Sequence, residues 1–495
     1  MSKIIIQNGN MCELDLPLKF AQKLYNEFAI RHPNAFYLRT RQRGMQNWDG
    51  KIHYITKTGQ FKIGLLPKVY DMCIEMGIKP KVVDMRQPLP KVSKVVTKIG
   101  KYKLRPEQEK AVKAVINNTI GGKPFHIGVL DYTVNAGKTL IMSSLYLSYK
   151  KQLKTLLITN DSDWLNQARE EFKQYLPGED ITFVQGKVLN WSNFTIGMVQ
   201  SISRNMRFYQ KELSQIDMVL IDEADQGGSR QYQNVITRLF NTRIRIGLSG
   251  TIYMSKLAKD KVKNMNLECF FGKVLAEFKL RDSIKKGYST KTVVKMVPGK
   301  PWYGNWESDC ISYKEIYDDS ITNSYTAWLM AYSRLRWNIN QGRYPALVVC
   351  KHIAHCENLY KFFKKKLGDA YNIAYVHVNT KSKLRQQIMK DFREGKIDIL
   401  VSTTIIARGK NFPKLRYLLN TASMDSQEKS IQFLGRLVRT DKSKKKVYLD
   451  DLHYPGNYLD RHGKHRKQYY QRQELKVILL DKLWKKHPNH SLIQS

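Results

Sequence analysis

The stretch Asp131-Tyr-Thr-Val-Asn-Ala-Gly-Lys-Thr139 decides the fold of this chain. It follows the apolar run from His126 to Leu130, which is typical of a buried strand, and it precedes a helical stretch that begins at Leu140. A strand, a loop that ends in Gly-Lys-Thr and a helix together form the arrangement that holds nucleotide phosphates. The stretch therefore predicts a nucleotide-binding α/β domain.

The residues at the end of this loop have predicted roles. Gly137, with Asn135 and Ala136 before it, lets backbone N–H groups close on the phosphates. Lys138 is expected to reach the β- and γ-phosphates, and the Thr139 hydroxyl is expected to bind Mg²⁺. The N-terminus of the following helix adds a dipole that favours the anion.

The loop departs from the usual phosphate-binding pattern at Tyr132, where that pattern has glycine. Asn135 and Ala136 leave the loop poor in glycine as well. Because Gly-Lys-Thr after a strand also occurs by chance, the nucleotide interpretation requires a second motif.

The segment Leu220-Ile-Asp-Glu-Ala-Asp225 supplies that motif, since an apolar strand here ends in adjacent carboxylates. Neighbouring side chains of a strand point to opposite faces, so a turn at the strand end must bring both carboxylates into one site. We predict that Asp222 holds Mg²⁺ and that Glu223 polarises the attacking water. A solvated acidic loop is the alternative for such a run in isolation. The two motifs together predict nucleotide hydrolysis.

The charge of the chain indicates a polyanionic partner. Lys and Arg number 84 against 43 Asp and Glu, a formal net charge of +41. The excess is spread along the chain instead of forming one basic arm, so it covers folded domains, as in proteins that follow phosphate backbones. A lysine-rich coat that maintains solubility is the alternative.

The sequence gives no indication of a membrane partner. No apolar run approaches the roughly 18 residues of a membrane span. The start of the chain has too short an apolar stretch for a signal peptide. The six cysteines are sparse and form no CxxC pair, so we expect reduced thiols and a cytoplasmic location.

Alternation of short apolar strands with helical stretches predicts an α/β fold with two parallel-sheet domains after a small α+β module. We expect an N-terminal accessory domain over residues 1–95, whose predicted DNA-binding role is argued from the resemblance described below, and an ATP-binding domain over 96–285. A linker region over 286–325 and a second α/β domain with a C-terminal extension over 326–495 follow.

The two motifs and further segments resemble superfamily 2 helicases and translocases, whose core is two RecA-like domains. The resemblance covers roughly residues 100 to 450 and implies ATP and Mg²⁺ as cofactors. The further segments, in chain order, are 104–108, 159–168, 199–203, 248–251, 402–413 and 432–439.

The resemblance assigns roles to single residues of these segments. Gln108 lies in the position that reads adenine, although Glu107 replaces the aromatic residue often found beside it. Arg436 and Arg439, three residues apart, are expected on one face of a helix, from which they stabilise charge on the transferring phosphoryl group. Nucleotide contacts fall to Gly409 and Asn411, and nucleic-acid contacts fall to Gln200, Ser201 and Thr403.

The type of nucleic acid is inferred from the later motifs and the N-terminal module. Ser249-Gly-Thr251 and Gln432-Phe-Leu-Gly-Arg436 differ from the usual RNA-helicase patterns and resemble DNA repair and restriction motors. Residues 36–51, which include Asn47-Trp-Asp-Gly50, resemble the N-terminal domain of the phage UvsW-type helicases. That resemblance implies unwinding or branch migration of branched DNA in recombination, repair or replication restart.

The N-terminal module also carries predicted DNA-binding residues that suit contact with phosphates and stacking on bases. In the alternative, the tryptophan among them anchors a turn in a small core and the basic residues are solvated. We expect binding of single-stranded or branched DNA without sequence preference, by a chain that works as a monomer. The predicted residues are Arg39, Arg41, Arg43, Trp48 and Lys51.

Other functions stay open at this point. An RNA helicase and the motor subunit of a restriction complex use the same motifs. A non-hydrolysing DNA-binding protein with a decayed motor is supported only by Tyr132 and the glycine-poor loop. The basic segment from Arg461 to Arg472 either grips DNA or completes the second domain as a packed helix.

Overall fold

The structure is a computed structural model that describes residues 2–41, 44–149, 152–186, 190–253, 258–299, 312–407 and 412–480. The chain divides into two compact units, Met1–Phe278 and Lys279–Ser495. Each unit is built on an all-parallel sheet of seven strands, and an α+β region comes first. This confirms the predicted fold of two RecA-like domains after an N-terminal α+β region. No helix of the described ranges is long and apolar enough to cross a membrane.

The N-terminal region forms a four-stranded sheet in the order β5-β2-β1-β6, and a separate pair of strands, β3 and β4, lies beyond α1. The elements are β1 Lys3–Ile6, β2 Met11–Asp15, α1 Leu18–Glu27, β3 Ala29–Arg31, α2 Ala35–Arg41, β4 Lys51–His53, β5 Gln60–Lys62, α3 Leu66–Glu75 and β6 Lys81–Asp84.

The first α/β domain arranges its parallel strands in the order β13-β14-β12-β15-β16-β11-β17. The strands and helices are β7 Lys98–Ile99, β8 Tyr102–Lys103, α4 Pro106–Ile116, β9 Thr119–Ile120, β10 Lys123–Pro124, β11 His126–Tyr132, α5 Lys138–Ser148, β12 Thr155–Thr159, α6 Ser162–Tyr175, β13 Ile181–Val184, β14 Phe194–Met198, α7 Val199–Arg204, α8 Gln210–Ser214, β15 Met218–Asp222, α9 Arg230–Ile236, β16 Ile244–Ser249, α10 Ala258–Phe271 and β17 Val274–Phe278.

The N-terminal region and the first α/β domain share one hydrophobic core. The guanidinium of Arg245, fully buried in β16, donates to the Gly9 carbonyl oxygen and to Asn10 Oδ1, each at 2.7 Å. A Cβ at Gly9 would lie 2.5 Å from the Leu239 carbonyl oxygen, so only glycine permits this approach. The N-terminal region is therefore packed onto the first α/β domain by polar as well as apolar contacts.

The second unit arranges its parallel strands in the order β20-β21-β19-β22-β23-β18-β24. Its elements are α11 Leu280–Lys285, β18 Lys291–Pro298, α12 Tyr313–Tyr317, α13 Tyr325–Asn340, β19 Ala346–Cys350, α14 Ile353–Leu367, β20 Ile373–Val376, α15 Ser382–Glu394, β21 Ile399–Thr403, β22 Tyr417–Asn420, α16 Gln427–Leu437, β23 Lys446–His453, α17 Asn457–Arg472 and β24 Val477–Leu479.

The predicted linker region, 286–325, contains the strand β18 of the second sheet, between β23 and β24. The sequence Lys291–Pro298 is apolar on the positions that turn inward, and Val294 is fully buried. The two compact units meet in sequence at Phe278 and Lys279, and the predicted division into functional domains stays a prediction.

Candidate nucleotide site and nucleic-acid surfaces

The predicted nucleotide-site residues of the first unit follow the carboxyl ends of parallel strands, which lie along one edge of the sheet. The phosphate loop follows β11, Asp222 ends β15, and Ser249 ends β16. The sheet places β16 between β15 and β11. Ligands of open α/β sheets bind at such an edge, so the topology agrees with the sequence-based site.

The phosphate loop has the backbone conformation of an anion-binding turn although it is poor in glycine. Asn135 has φ of +64° and Gly137 has φ of +72°, both in the left-handed region. Asn adopts this region more readily than most residues, so Asn135 replaces a glycine here at modest cost. Lys138 is the first residue of α5, and successive N–H groups of such turns form concave anion sites.

Gln108 is buried, and both polar atoms of its side-chain amide form hydrogen bonds. Its Nε2 donates to the Ala136 carbonyl oxygen at 2.8 Å, and its Oε1 accepts from the Arg105 backbone N–H at 2.8 Å. A Cβ at Gly137 would lie 2.3 Å from this Nε2. Gln108 thus fastens α4 to the phosphate loop, and its predicted contact with adenine stays a prediction.

Tyr132, which stands where the usual pattern has glycine, is a buried strand residue. Its hydroxyl donates to the Glu107 carbonyl oxygen at 2.7 Å, and its ring lies 5.9 Å from the ring of Phe278. Burial raises the pKa of this phenol, so the hydroxyl stays a donor. The tyrosine therefore links β11 to α4, and the residues that follow it form the phosphate-binding turn.

The two predicted catalytic carboxylates lie at a sharp turn of the chain. Asp222 is buried at the end of β15, and Glu223 has φ of +52°. Burial raises the pKa of Asp222 to about 6, and the nearby Lys138 ammonium opposes this rise. A divalent cation would also favour the charged form, so Asp222, with the Thr139 hydroxyl at the start of α5, fits a Mg²⁺ site.

A hydrogen bond between two predicted motifs was not foreseen from the sequence. Ser249 Oγ donates to Asp225 Oδ1 at 2.8 Å and lies 3.2 Å from Thr251 Oγ1. The Thr251 N–H donates to Ser249 Oγ at 3.1 Å. The residues after β15 are thereby connected to those after β16. Both segments were recognised separately, but spacing along the chain carries no signal for this pairing.

The predicted nucleic-acid residues of the first unit are partly exposed at the start of α7. Gln200 Nε2 donates to the Asn160 carbonyl oxygen at 3.3 Å, and Ser201 Oγ accepts from the Gly186 N–H at 2.9 Å. These contacts position both residues at the carboxyl end of β14. Their contact with nucleic acid stays a prediction.

The second unit differs from the sequence prediction at its arginine pair. Helix α16 ends at Leu437, so Arg436 is helical and Arg439 lies beyond the helix. The predicted common helix face is therefore wrong. The physical reason is that Lys444 Nζ donates to the Leu437 carbonyl oxygen at 3.0 Å, and Thr290 Oγ1 donates to the Arg439 carbonyl oxygen at 3.1 Å.

The remaining predicted residues of the second unit follow β21. Thr403 ends this strand and is 7% exposed. Gly409 and Asn411 lie outside the described residues.

Exposed aromatic and basic side chains lie together on α2 of the N-terminal region. Arg39 and Arg41 are exposed, and the Arg41 guanidinium lies 5.0 Å from the Tyr37 ring centre. Phe36 is 81% exposed and Tyr37 is 53% exposed. These two aromatics were not singled out from the sequence, and Arg43 lies outside the described residues.

Trp48 closes the turn before β4. Its Nε1 donates to the Lys51 carbonyl oxygen at 2.9 Å, and its ring meets the edge of the His32 ring at 5.7 Å. The Lys51 N–H donates to Asp49 Oδ1 at 2.9 Å, while its side chain is exposed. The contacts favour the alternative in which Trp48 anchors a turn, and its DNA contact stays a prediction.

The basic segment from 461 to 472 is a packed helix of the second unit. Arg466 is fully buried and forms an ion pair with Asp451 at 2.9 Å. His465 Nδ1 lies 3.0 Å from Asp425 Oδ2. These internal partners favour the packed-helix alternative for this segment.

Two family models match the chain. Residues 101–254 match "Type III restriction enzyme, res subunit", and residues 331–441 match "Helicase conserved C-terminal domain". With the two RecA-like sheets and the phosphate loop, they define the class of helicase proteins that are built on two α/β domains. The chain belongs to the superfamily 2 helicases.

Curated relatives include helicases of different kinds. A protein of Sulfolobus islandicus filamentous virus named as helicase 22 is 23% identical over 71% of this chain and 64% of its own length. The ATP-dependent RNA helicase CHR1 of Candida albicans is 23% identical over 46% of this chain and 33% of its own length. The chain thus spans less than two thirds of either relative.

Solved structures that match the chain include UvsW of bacteriophage T4 and Dbp5 of S. cerevisiae. T4 UvsW is 18% identical over 97% of this chain and 98% of its own, with a TM-score of 0.44. S. cerevisiae Dbp5 bound to RNA and ADP BeF3 is 13% identical over 79% of this chain and 93% of its own, with a TM-score of 0.53. At such identities the likeness to Dbp5 concerns the fold alone.

Proposed function

We propose that this helicase is a DNA motor that unwinds or branch-migrates branched DNA, driven by ATP hydrolysis at the loop after β11. The observation that carries the ATP site is the left-handed turn at Asn135 and Gly137, with Lys138 acting electrostatically on the buried Asp222. A turn of N–H groups, a cation and a buried carboxylate are what a phosphate–metal complex requires.

The residues of the site divide the work of hydrolysis. The N–H groups of the loop and the Lys138 ammonium bind phosphate oxygens, and Thr139 with Asp222 holds Mg²⁺. Bound Mg²⁺ supplies positive charge that offsets charge on the phosphates. Glu223 orients the attacking water and accepts its proton on a carboxylate oxygen.

The predicted nucleotide contacts of the second unit complete this proposal. The family resemblance assigns contact with the phosphoryl group to Arg436 and Arg439, and contact with the nucleotide to Gly409 and Asn411.

DNA as the substrate is supported by the N-terminal region and by the later motifs. The exposed arginines and aromatics of α2 suit phosphate contact with base stacking. The sequence of residues 36–51 resembles that of branch-migrating phage helicases, and Ser249-Gly-Thr251 resembles that of DNA motors. An RNA substrate is the second candidate, because RNA helicases are among the relatives.

The deciding experiment measures ATP hydrolysis by the full chain without nucleic acid and with single-stranded DNA, four-way DNA or RNA. Stimulation by four-way DNA well above that by RNA is expected. Equal or greater stimulation by RNA would establish the second candidate instead. Absence of hydrolysis under every condition would leave a DNA-binding protein with a decayed motor.

Two substitutions test the site within that assay. Lys138→Ala and Glu223→Gln should each lower the hydrolysis rate by about 100-fold or more while DNA binding persists, since each removes a charged catalytic group. Lys110→Ala changes an exposed lysine of α4 and serves as the matched control with unchanged hydrolysis. Hydrolysis that survives in the first two variants would show that the site is assigned wrongly.

A further inference from the structure

A group of cations surrounds one exposed tryptophan in the second unit. Trp337 is 43% exposed, and its ring centre lies 5.0 Å from Lys295 Nζ and 4.7 Å from Arg343 Cζ. The same Arg343 lies 3.7 Å from the ring centre of Tyr448, and Lys446 Nζ lies 5.6 Å from that ring. We call these five residues the Trp337 cluster.

The cluster carries positive charge that its surroundings do not neutralise. Arg334 also faces the Trp337 ring, at 5.1 Å, but it is paired with the buried Asp450 at 2.6 Å. Within the described ranges, no carboxylate forms an ion pair with Lys295, Arg343 or Lys446. The positive charges of these three cations therefore remain available to an outside anion.

The pKa of Lys295 is lowered first by burial and then by the neighbouring cations. Burial lowers the pKa of its ammonium, Asp450 opposes the change, and Arg334, Arg343 and Lys446 lower the pKa further. Like charges held together disfavour the charged state, and a bound anion would remove that penalty.

Part of the cluster lies near the amino ends of the strands of the second sheet, whereas the predicted nucleic-acid contact Thr403 lies at a carboxyl end. Lys446 is the first residue of β23 and pairs with Lys291, the first residue of β18. Arg343 precedes β19, whereas Thr403 ends β21. Because all strands of this sheet are parallel, Lys446 and Arg343 lie on the amino-end side of the strands and Thr403 lies at the carboxyl end.

We propose that the Trp337 cluster is a second nucleic-acid-binding surface, which holds a single-stranded segment by stacking a base on Trp337 and pairing phosphates with Lys446 and Arg343. Aromatic rings interleaved with cations are the composition that single strands bind, since every base has a stacking face and every nucleotide has a phosphate. The proposal rests on the proposed nucleic-acid function and adds a surface that the helicase motifs do not include.

The test measures binding of fluorescent single-stranded DNA and RNA oligonucleotides to the full chain across a range of salt concentrations. Lys291→Glu/Lys446→Glu reverses two exposed charges at the amino ends of β18 and β23. As the control, Lys365→Glu/Lys366→Glu makes the same change in charge at the end of α14. The first variant should bind about tenfold more weakly, with a salt slope lower by about two, and the control should change much less.

A second pair of variants separates stacking from charge. Trp337→Ala should weaken oligonucleotide binding by about fivefold or more, whereas Trp337→Phe should retain most of it. Neither should change binding of heparin, a polyanion without bases. ATP hydrolysis without nucleic acid should be unchanged in all four variants, which shows that they are folded.

Several results would overturn the inference. Equal weakening by the two charge-reversed variants would show only a loss of overall charge. Parent-like binding by Trp337→Ala, or an equal loss of heparin binding, would exclude base stacking. Failure of DNA to stimulate hydrolysis by the parent would contradict the proposed function, but the binding comparison would still decide the role of the cluster.

Discussion

The amide nitrogen of Gln108 lies 2.8 Å from the carbonyl oxygen of Ala136 and donates a hydrogen bond to it. This bond connects the start of α4 to the loop that precedes Lys138. Any role of Gln108 in nucleotide binding therefore includes the shape of the phosphate loop. A residue that reads only the base would have no such effect on the phosphates.

Gln108→Glu should raise the KM for ATP by about 5- to 150-fold, because a carboxylate oxygen then faces the Ala136 carbonyl oxygen. This range corresponds to the cost of about 1–3 kcal/mol for a lost buried hydrogen bond. Steady-state hydrolysis measures the change, and Gln210→Glu at the exposed start of α8 is the control. An unchanged KM for both ATP and GTP would show that the bond to Ala136 does not shape the site.

Tyr132→Phe should lower the free energy of unfolding by about 1–3 kcal/mol and leave ATP hydrolysis largely intact, because only the bond to the Glu107 carbonyl oxygen is lost. Tyr132→Gly introduces the glycine of the usual pattern but leaves a buried cavity. It should therefore lower the free energy of unfolding by about 3–5 kcal/mol. Urea unfolding and hydrolysis assays measure both effects. Faster hydrolysis by Tyr132→Gly would contradict the structural explanation of this tyrosine.

Much of the fold could be predicted because buried parallel strands are continuous apolar runs. Thr155–Thr159, Met218–Asp222 and Ala346–Cys350 are such apolar runs, and each forms a strand. Arg245 shows what such patterns miss, since a charged residue usually indicates an exposed position. Its burial depends on Gly9, 236 residues earlier in the chain, and local sequence holds no information about that contact.

The candidate site was predictable in composition and less so in geometry. Motifs identified Lys138 and Asp222, but the left-handed conformation of Asn135 and the bond between Ser249 and Asp225 depend on packing. The end of α16 was misplaced because Lys444, seven residues after Leu437, captures its terminal carbonyl oxygen. Helix ends are set by such caps, which hydrophobic spacing does not reveal.

Phe36→Ala should weaken DNA binding without loss of stability, whereas Trp48→Ala should lower stability. Phe36 is 81% exposed and supports little of the core. Trp48 holds its turn through the hydrogen bond to the Lys51 carbonyl oxygen. Oligonucleotide binding and thermal unfolding of the full chain measure the two effects, with Leu18→Ala, 77% exposed on α1, as the control for loss of an exposed apolar side chain. Reversed results would make Trp48 the stacking residue.

The second unit should lose stability in mild acid because of His355. Burial lowers the pKa of this imidazole from 6.5 to about 3, and nearby His352 contributes to the change. Between about pH 6.5 and pH 3, the His355 imidazole is protonated in the unfolded chain but neutral in the folded unit. The free energy of unfolding is therefore at its full value above pH 6.5 and decreases as the pH falls between these two values. The loss is about 1.4 kcal/mol per pH unit, or about 2 kcal/mol at pH 5.

His355→Gln should remove this pH dependence while it keeps an acceptor for the Tyr317 hydroxyl, which lies 3.2 Å from His355 Nδ1. Urea unfolding of parent and variant at pH 7 and pH 5 measures the difference. Other titrating groups contribute equally to both proteins, so the parent should lose about 2 kcal/mol more than the variant between these pH values. Parallel losses in the two proteins would show that His355 is protonated as readily in the folded unit as in the unfolded chain.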